Sequence, residues 1–275
     1  MNKVLIAAAV TVETSHAAQQ YLEALTKLKG DFDIMLVDYS LKPIYAEWLA
    51  KRQKFVRVKV IRKEFPLGTE QVEKRAACHE IIRQFCIEKG YLGLLLLEHD
   101  VIIPEDGLKR LLTSKKPVIS GVSYDLHVVN GQIVRLPTLQ VGYDEERQKF
   151  LKENMDTLKK NNSKLFEALE KSKWDFSSVK RPLLNDEVEA DKGIIKIKSA
   201  NFDCLYIVKD VLEKVTFTSE NGSKSDDALF FLQLQKLKTS AFADTAVQCG
   251  KKVKKSLIDT VTKSLQKKSI PASAA

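Results

Sequence analysis

Glu98 and Asp100 form the clearest pair of carboxylates with metal-binding chemistry in this 275-residue chain. One residue separates them, so an extended segment would place both on the same side, about 7 Å apart. Hard divalent cations prefer such oxygen ligands, and Mg²⁺ or Mn²⁺ could bridge them to a diphosphate. An acid-x-acid triplet is common by chance, but this one directly follows the apolar run of residues 92–97. That placement favours a site at the end of a buried strand.

A second acidic pair, Asp226 and Asp227, opens the segment SDDALFFLQLQKL. Carboxylates in the first turn of a helix complement its dipole and cap its free N–H groups, which explains one of the two, with Asp226 or Ser225 as the cap. The other would face a cleft as a general base, within reach of an acceptor hydroxyl. The pattern alone leaves a structural and a catalytic role open.

Asp38 ends a further apolar run and is followed by Ser40. A carboxylate at this point of a nucleotide-binding sheet can accept hydrogen bonds from a ribose or a base edge, and a turn-stabilising role is equally reasonable. The glycines form neither G-x-G-x-x-G nor a Walker motif. The phosphates of any bound nucleotide must therefore be held by metal and basic side chains.

Alternating strands and helices in the first 125 residues would position these groups. Pro104 and Asp106 mark a helix start, and the other predicted elements are strands at 4–10, 32–39, 55–61, 92–97 and from 118, with helices at 13–28 and 70–89. Such alternation predicts a parallel sheet with right-handed crossovers. Ligands bind such sheets beyond the carboxyl ends of the strands, where Asp38, Glu98 and Asp100 fall.

Residues 144–173 interrupt this rhythm with a densely charged, helical composition. Asn161-Asn162 would divide the segment, with Ser163 as an N-cap. We interpret it as a helical insertion over the sheet, either a lid or, as the favoured alternative, a solvated helix pair. Its apolar side would consist of Phe150, Met155, Leu158, Phe166 and Leu169. Further strands are predicted at 193–198 and 204–208, a helix at 226–238 and an apolar segment at 241–247.

The net charge of +9 is concentrated near the C-terminus. Residues 251–275 hold seven lysines and one acid, Asp259, which leaves +3 for residues 1–250. We expect a near-neutral single domain, residues 1–250, with a basic tail, residues 251–275, and no nucleic-acid partner. The tail suits a helix on an anionic membrane surface or, as the favoured alternative, a helix packed on the domain.

The four cysteines are scattered, which predicts reduced thiols and a cytoplasmic protein, with peripheral contact at the inner face of a membrane as an option for the tail. Residues 4–10 resemble a minimal signal peptide, but the run is short and a first strand is favoured. No apolar run approaches the length of a membrane span.

In order and spacing, these segments resemble GT-A glycosyltransferases, most closely family 2 of the nucleotide-diphospho-sugar transferases. VLIAAAV and FDIMLVDYS resemble the first two strands, EKRAACHEII the arginine-bearing helix, LLLLEHDVIIPEDGLKRLL the DxD segment, and KPVISGVSYD the strand after it. The resemblance implies that Asp38 contacts the base of a nucleotide and that Arg75 faces its diphosphate. It also implies that Glu98 and Asp100 bind the metal.

The second half continues the resemblance. The segments are IIKIKSANFDCLYIVKDVLEKVTF on the acceptor side, SDDALFFLQLQKL as the "EDxxFc" helix and FADTAVQCG as the "vDtsvrcgH" ending. The match covers roughly residues 3–125 and 194–250. It implies an α/β fold of the GT-A type, a Rossmann-like sandwich with a mostly parallel central sheet and a helical insertion. It also makes Asp227 the catalytic base.

Two departures from the family pattern bear on the site. The segment 199–202, SANF, lacks the usual glycines, which predicts an altered or narrowed acceptor pocket. Lys251 stands where the family has a histidine that completes the metal site, and a protonated ammonium cannot ligate a metal. Either fewer ligands hold the metal, or Lys251 itself neutralises the diphosphate, or activity has been lost.

The sequence therefore predicts transfer of a sugar from a UDP- or GDP-sugar to an acceptor hydroxyl, with inversion and a divalent cation, Mn²⁺ or Mg²⁺. The alternatives are a sugar-phosphate nucleotidyltransferase and a catalytically impaired protein that binds a nucleotide or a partner. The first alternative needs a Gly-rich basic loop after the first strand, and residues 10–13, VTVE, offer none.

Overall fold

A computed structural model describes residues 3–52, 58–129, 132–176, 179–190, 193–220 and 224–252. The strands in chain order are β1 (Val4–Val10), β2 (Phe32–Asp38), β3 (Val58–Arg62), β4 (Gly93–Leu97), β5 (Val101–Ile102), β6 (Val118–Val122), β7 (Tyr124–Val129), β8 (Gln132–Pro137), β9 (Gln140–Val141), β10 (Arg181–Pro182), β11 (Ile194–Ile197), β12 (Cys204–Val208), β13 (Ala241–Gln248) and β14 (Gly250–Lys251).

A 3-10 helix, Val12–Ala17, follows β1. The α-helices are α1 (Ala18–Lys27), α2 (Ile44–Ala50), α3 (Gln71–Glu88), α4 (Gly107–Thr113), α5 (Glu145–Glu153), α6 (Met155–Asn161), α7 (Ser163–Lys171), α8 (Asn185–Ala190), α9 (Lys209–Leu212) and α10 (Asp226–Lys236).

Within the described residues, eight strands form one mixed sheet in the order β11-β13-β6-β12-β4-β1-β2-β3. Strands β1, β2, β3 and β4 run parallel, and β13 runs parallel to β6. Strand β12 is antiparallel to both of its neighbours, β4 and β6, and β11 is antiparallel to β13. The prediction of a mostly parallel α/β sheet is confirmed, but β11 and β12 are exceptions to the parallel pattern.

Helices cover both faces of the sheet, because the central strands are apolar on both sides. In β1, Leu5, Ala7 and Ala9 face the layer that contains α3, α9 and α10. The alternate residues face the layer of α1, α2 and α4. The all-apolar sequence VLIAAAV is thus buried throughout its length.

The charged segment after β9 forms three short helices, α5, α6 and α7, rather than a pair. They build their own small core around Leu158, Leu169 and Phe176. Phe150 and Met155, expected on the apolar side, are exposed. The N-cap of α7 is Asn162, whose side chain accepts a hydrogen bond from the Leu165 N–H, so the assignment of Ser163 as the cap was wrong.

Other predicted bounds hold with local changes. Strand β12 begins and ends where the sequence predicts, whereas the helix expected at 13–28 divides into the 3-10 helix and α1. The first residues of the strand predicted at 55–61 lie outside the described part, as do residues 253–275 of the basic tail. The division of the chain at residue 250 stays a prediction. Among the described residues, no helix is both long and apolar enough to cross a membrane.

Gly93 lies where β4 meets β12, and replacing it with alanine is expected to destabilise the fold. An added Cβ would lie 2.5 Å from the Ile207 carbonyl oxygen and 2.7 Å from the Tyr206 hydroxyl oxygen. We expect Gly93→Ala to lower the free energy of unfolding by about 1–3 kcal/mol, measured by urea denaturation. Gly250→Ala is the control, because its Cβ would meet only Ile102 at 3.8 Å. Equal stability of the two variants would contradict the close packing of β4 on β12.

Candidate active site

The ends of β4 and β12 meet at one edge of the sheet. Leu97 pairs with Cys204, and the Glu98 N–H donates to the Asp203 carbonyl oxygen at 3.1 Å. Because β12 runs antiparallel to β4, its first residues lie beside the last residues of β4. Asp203 and Glu98 are therefore neighbours at the carboxyl edge, where open α/β sheets bind ligands.

Lys251 lies among the aspartates of this edge. Its Nζ is 2.8 Å from Asp125 Oδ1 and 3.2 Å from each carboxylate oxygen of Asp203. Strand β14 holds the lysine in place through pairing with β5, and the Lys252 N–H donates to the Asp100 carbonyl oxygen at 2.8 Å. Burial lowers the pKa of Lys251, but Asp203, Asp125 and Asp100 outweigh this effect, and the pKa lies above its ordinary value. The lysine is a fixed positive charge.

Glu98 is largely buried, with 22% of its side chain exposed. Burial raises its pKa, Arg75 and Lys251 oppose the rise, Asp203 and Asp100 add to it, and the pKa reaches about 8. For Asp100, burial again dominates and raises the pKa against the attraction of Lys251. Glu98 therefore keeps its proton at neutral pH more readily than an ordinary glutamate, which weakens it as a metal ligand.

His99, between these two acids, faces the opposite helical layer. Its ring packs against those of Tyr21 and Tyr45, and Nδ1 lies 3.3 Å from Thr14 Oγ1. Burial lowers the pKa of His99 to about 4, so the imidazole is neutral. The histidine belongs to the core rather than to the acidic cluster.

Asp226 and Asp227 have different environments at the start of α10. Asp226 is fully buried and accepts hydrogen bonds from Arg75 Nη2 at 2.6 Å and Nε at 3.1 Å, while its Oδ2 lies 2.5 Å from His79 Nδ1. Burial would raise the pKa of Asp226, but His79 and Arg75 outweigh it, and the pKa is lowered. Asp226 is thus a buried partner of Arg75 and not the helix cap, which the sequence had left open between Asp226 and Ser225.

Asp227 keeps 17% of its side chain exposed and lies 4.0 Å from Arg75 Nη2. Its Oδ1 accepts hydrogen bonds from the Ala228 N–H at 2.8 Å and from the Ser225 hydroxyl. Ser225 is the N-cap by backbone conformation and makes no capping hydrogen bond through its side chain. Of the two acids, Asp227 is the one that a substrate can reach.

A cluster of aromatic side chains packs against His79, next to the buried pair of Asp226 and Arg75. Phe202, in the segment that lacks the expected glycines, packs edge-on against His79 and against Phe217 and Phe230. His79 thereby has a fixed position next to Asp226. The narrowed acceptor pocket predicted from this segment stays a prediction.

Asp38 is fully buried at the end of β2. Its Oδ1 accepts hydrogen bonds from the Ser40 N–H at 3.0 Å and the Ser40 hydroxyl at 2.5 Å, while Oδ2 has no partner among the described residues. Burial raises its pKa against these bonds. The turn-stabilising role is therefore observed, and the nucleotide contact stays a prediction. Its neighbour Tyr39 lies close enough to Glu98 and Arg75 to interact with their charges.

The residues at this edge do not fit a divalent cation as they are arranged. In the described part of the chain, no group of three or more His, Cys, Asp and Glu side chains could hold a metal ion. Asp203 and Asp125 bind the Lys251 ammonium instead. A divalent ion would have to displace that ammonium or bind through Glu98 and Asp100 alone.

Sequence reasoning missed Asp203, Asp125 and His79. His79 lies one helical turn after Arg75, so the i,i+4 spacing on α3 could have revealed it. Asp203 immediately precedes β12. It could have been placed at the edge of the site only if β12 had been recognised as antiparallel. No local sequence pattern identifies Asp125, in β7, as a residue of the site.

Comparisons with known proteins bear on the fold. No family profile matches the chain, and no curated protein sequence matches it. Among solved structures, GalNAc-T7 with UDP, GalNAc and Mn²⁺ is 12% identical, with a TM-score of 0.54 over 91% of this chain and 44% of that one. TarS of S. aureus (14% identity, TM-score 0.48, 100% of this chain and 41% of that one) and A197 from STIV (10%, 0.42, 92% and 87%) are also similar.

The class defined by this likeness is the GT-A fold of nucleotide-diphospho-sugar transferases, which confirms the fold expected from the sequence motifs. At this level of identity the likeness establishes the fold alone. The chain spans less than half of the GalNAc-T7 and TarS chains, so activity and substrates are matters for proposal.

The unequal burial of the two aspartates predicts unequal effects on stability. Asp226→Asn removes the charge that neutralises Arg75, and we expect the free energy of unfolding to fall by about 3 kcal/mol. Asp227→Asn should cost less than about 1 kcal/mol, because that carboxylate makes only local contacts at a helix start. Urea denaturation of both variants measures the difference. Similar losses for the two would contradict the assignment of Asp226 as the buried partner.

From the raised pKa of Glu98 we expect a pH-dependent difference in stability between the parent and a Glu98 variant. In the unfolded chain it loses its proton above its ordinary pKa of 4.5, whereas in the folded protein it keeps the proton up to about pH 8. Between these values folding takes up a proton, so the contribution of Glu98 to stability falls as pH rises. The stability of Glu98→Gln relative to the parent should therefore grow by on the order of 2 kcal/mol from about pH 5 to about pH 8. Parallel pH profiles in urea denaturation would contradict the raised pKa.

Proposed function

We propose that this protein transfers a sugar from a nucleotide diphosphate donor to an acceptor hydroxyl. The observation that carries the proposal is the arrangement at the start of α10. There, one reachable carboxylate, Asp227, lies 4.0 Å from a guanidinium that the buried Asp226 fixes in place. A base and a cation at that separation suit a reaction in which a hydroxyl loses a proton while a diphosphate departs.

In the proposed reaction, Asp227 takes the proton of the acceptor hydroxyl as its oxygen bonds to the anomeric carbon. The bond from that carbon to the diphosphate breaks, and the electron pair leaves with the diphosphate. Arg75 would stabilise this negative charge, and Asp226, itself bonded to His79, holds the Arg75 guanidinium in place. Fixed charges of this kind can contribute several kcal/mol of transition-state stabilisation. Inversion at the sugar is the outcome that the motif resemblance favours.

Fewer observations support a nucleotide-binding region than support the pair formed by Asp227 and Arg75. Asp38 is the last residue of β2 and Tyr39 follows it, where the charges of Glu98 and Arg75 act on the tyrosine. We propose this end of β2 as the region that receives the nucleoside of a UDP- or GDP-sugar. The GalNAc-T7 structure, which contains UDP, supports that class of donor through its shared fold.

The divalent cation and the cytoplasmic location, both expected from the sequence, remain proposals. GalNAc-T7 was solved with Mn²⁺, which supports a divalent cation as one source of positive charge at the diphosphate; Lys251 is the other. A cytoplasmic location, with peripheral membrane contact through the basic tail, stays a prediction, and residues 253–275 of that tail lie outside the described part of the chain. The nucleotidyltransferase alternative needs a Gly-rich basic loop after the first strand. The segment that follows β1 is instead a 3-10 helix without glycine.

Substitution of Asp227 tests the proposed base. We expect Asp227→Asn to lower kcat for transfer, or for hydrolysis of a UDP- or GDP-sugar, by about 10²–10⁴-fold, because an amide cannot accept the proton. Donor binding measured by calorimetry should change by less than about threefold, since Arg75 keeps its buried partner.

The matched control is Asp210→Asn, which removes an exposed acid from the first turn of α9, beyond the opposite end of β12 from Asp203. Its turnover should equal that of the parent. Full turnover by Asp227→Asn would exclude Asp227 as the base. Nucleotide binding without turnover in the parent would favour the impaired, binding-only alternative.

A further inference from the structure

We propose that the Lys251 ammonium takes the place of the divalent cation in this site, so that the diphosphate of the donor binds without metal. This inference rests on the proposed function and concerns how the same site neutralises its ligand. It also accounts for the lysine at the position where the motif resemblance implies a histidine.

Lys251 lies among the carboxylates of the acidic edge. Its Nζ contacts Asp203 and Asp125 and lies close enough to Asp100 and Glu98 to affect the pKa of each. Asp203 and Asp125 contact the ammonium from two segments of the chain, and Glu98 and Asp100 belong to a third. A divalent cation bound through Asp203 and Asp125 would have to occupy the space that the ammonium fills.

The lysine cannot easily withdraw from this position. Only 16% of its side chain is exposed, and the backbone on either side is fixed, since Gly250 pairs with Ile102 and the Lys252 N–H bonds to Asp100. Removing the ammonium would leave Asp203, itself only 4% exposed, as a buried charge without its cation. Such a loss is far more costly than breaking a surface ion pair.

The N–H groups of the ammonium determine how it could bind a phosphate. An ammonium has three N–H groups. Nζ lies 3.2 Å from each Asp203 oxygen and 2.8 Å from Asp125 Oδ1, so its three N–H groups face three carboxylate oxygens. A phosphate oxygen would take the place of one of the two Asp203 contacts, and the ammonium would keep the other. Arg75, held by Asp226, would be the second cation for the diphosphate.

The experiment measures UDP and GDP binding to the full chain by calorimetry, in EDTA and in Mn²⁺. For the parent protein we expect the Kd of the preferred nucleotide to differ by less than about twofold between the two conditions. Lys251→Ala should weaken binding in EDTA by about tenfold or more, and Lys251→Arg should retain most of it. Lys252→Ala, which removes the exposed neighbouring charge, is the control and should bind like the parent.

Lys251→His provides the sharpest variant, because it exchanges the ammonium for a metal ligand. We expect it to bind nucleotide weakly in EDTA and to regain binding in Mn²⁺. Electron paramagnetic resonance of Mn²⁺ gives a readout independent of nucleotide: the parent should leave the ion free in solution, and Lys251→His should bind it. Thermal denaturation of each variant shows whether it is folded, and Lys251→Arg preserves the charge if the alanine variant is not.

The outcomes separate the two proposals. Nucleotide binding by the parent only when Mn²⁺ is present, or stoichiometric Mn²⁺ binding to the parent, would overturn the role of Lys251 and leave the proposed function intact. Unchanged binding by Lys251→Ala would also overturn it. No binding of either nucleotide in either condition would overturn the proposed function, and this inference with it.

Discussion

The antiparallel pairing of β12 with β4 is the constraint on which the rest of the site depends. It inserts a strand of reversed direction between β4 and β6, so that the beginning of one strand and the end of another meet at the carboxyl edge. The Glu98 N–H and the Asp203 carbonyl oxygen form the last link of this ladder. With β12 parallel, Asp203 would lie at the far edge, and Lys251 would lose its main partner.

This edge carries two separate pairs of opposite charge. Arg75 belongs to Asp226 on one side, and Lys251 belongs to Asp203 on the other. Each cation is held before any ligand arrives, which limits the reorganisation needed when negative charge develops. Burial raises the pKa of Glu98, the charges of Arg75 and Lys251 oppose the rise, and the neighbouring Asp203 and Asp100 add to it. The aromatic residues behind His79 keep one pair rigid, and the β14–β5 pairing keeps the other.

Local patterns predicted the elements better than they predicted the site. The apolar runs of β1, β4 and β12 identify buried strands because burial on both faces leaves no room for polar side chains. The direction of a strand has no such signature, so the sequence did not reveal that Asp203 lies beside Glu98. Which of Asp226 and Asp227 would be buried depended on Arg75 and His79, which are distant in sequence. Lys251 stood out only as a departure from a family motif, and its partners could not be inferred from spacing.

The location of Lys251 in β14, the last described strand, has a consequence for how the protein is made. Asp125, Asp203 and the acids beside β4 all leave the ribosome before the lysine that neutralises Asp203 and Asp125. Until β14 pairs with β5, Asp203 and Asp125 in the nascent domain lack the ammonium that neutralises them. Completion of the site is therefore tied to completion of this part of the chain, and the closing strand delivers both the last backbone pairing and the missing cation.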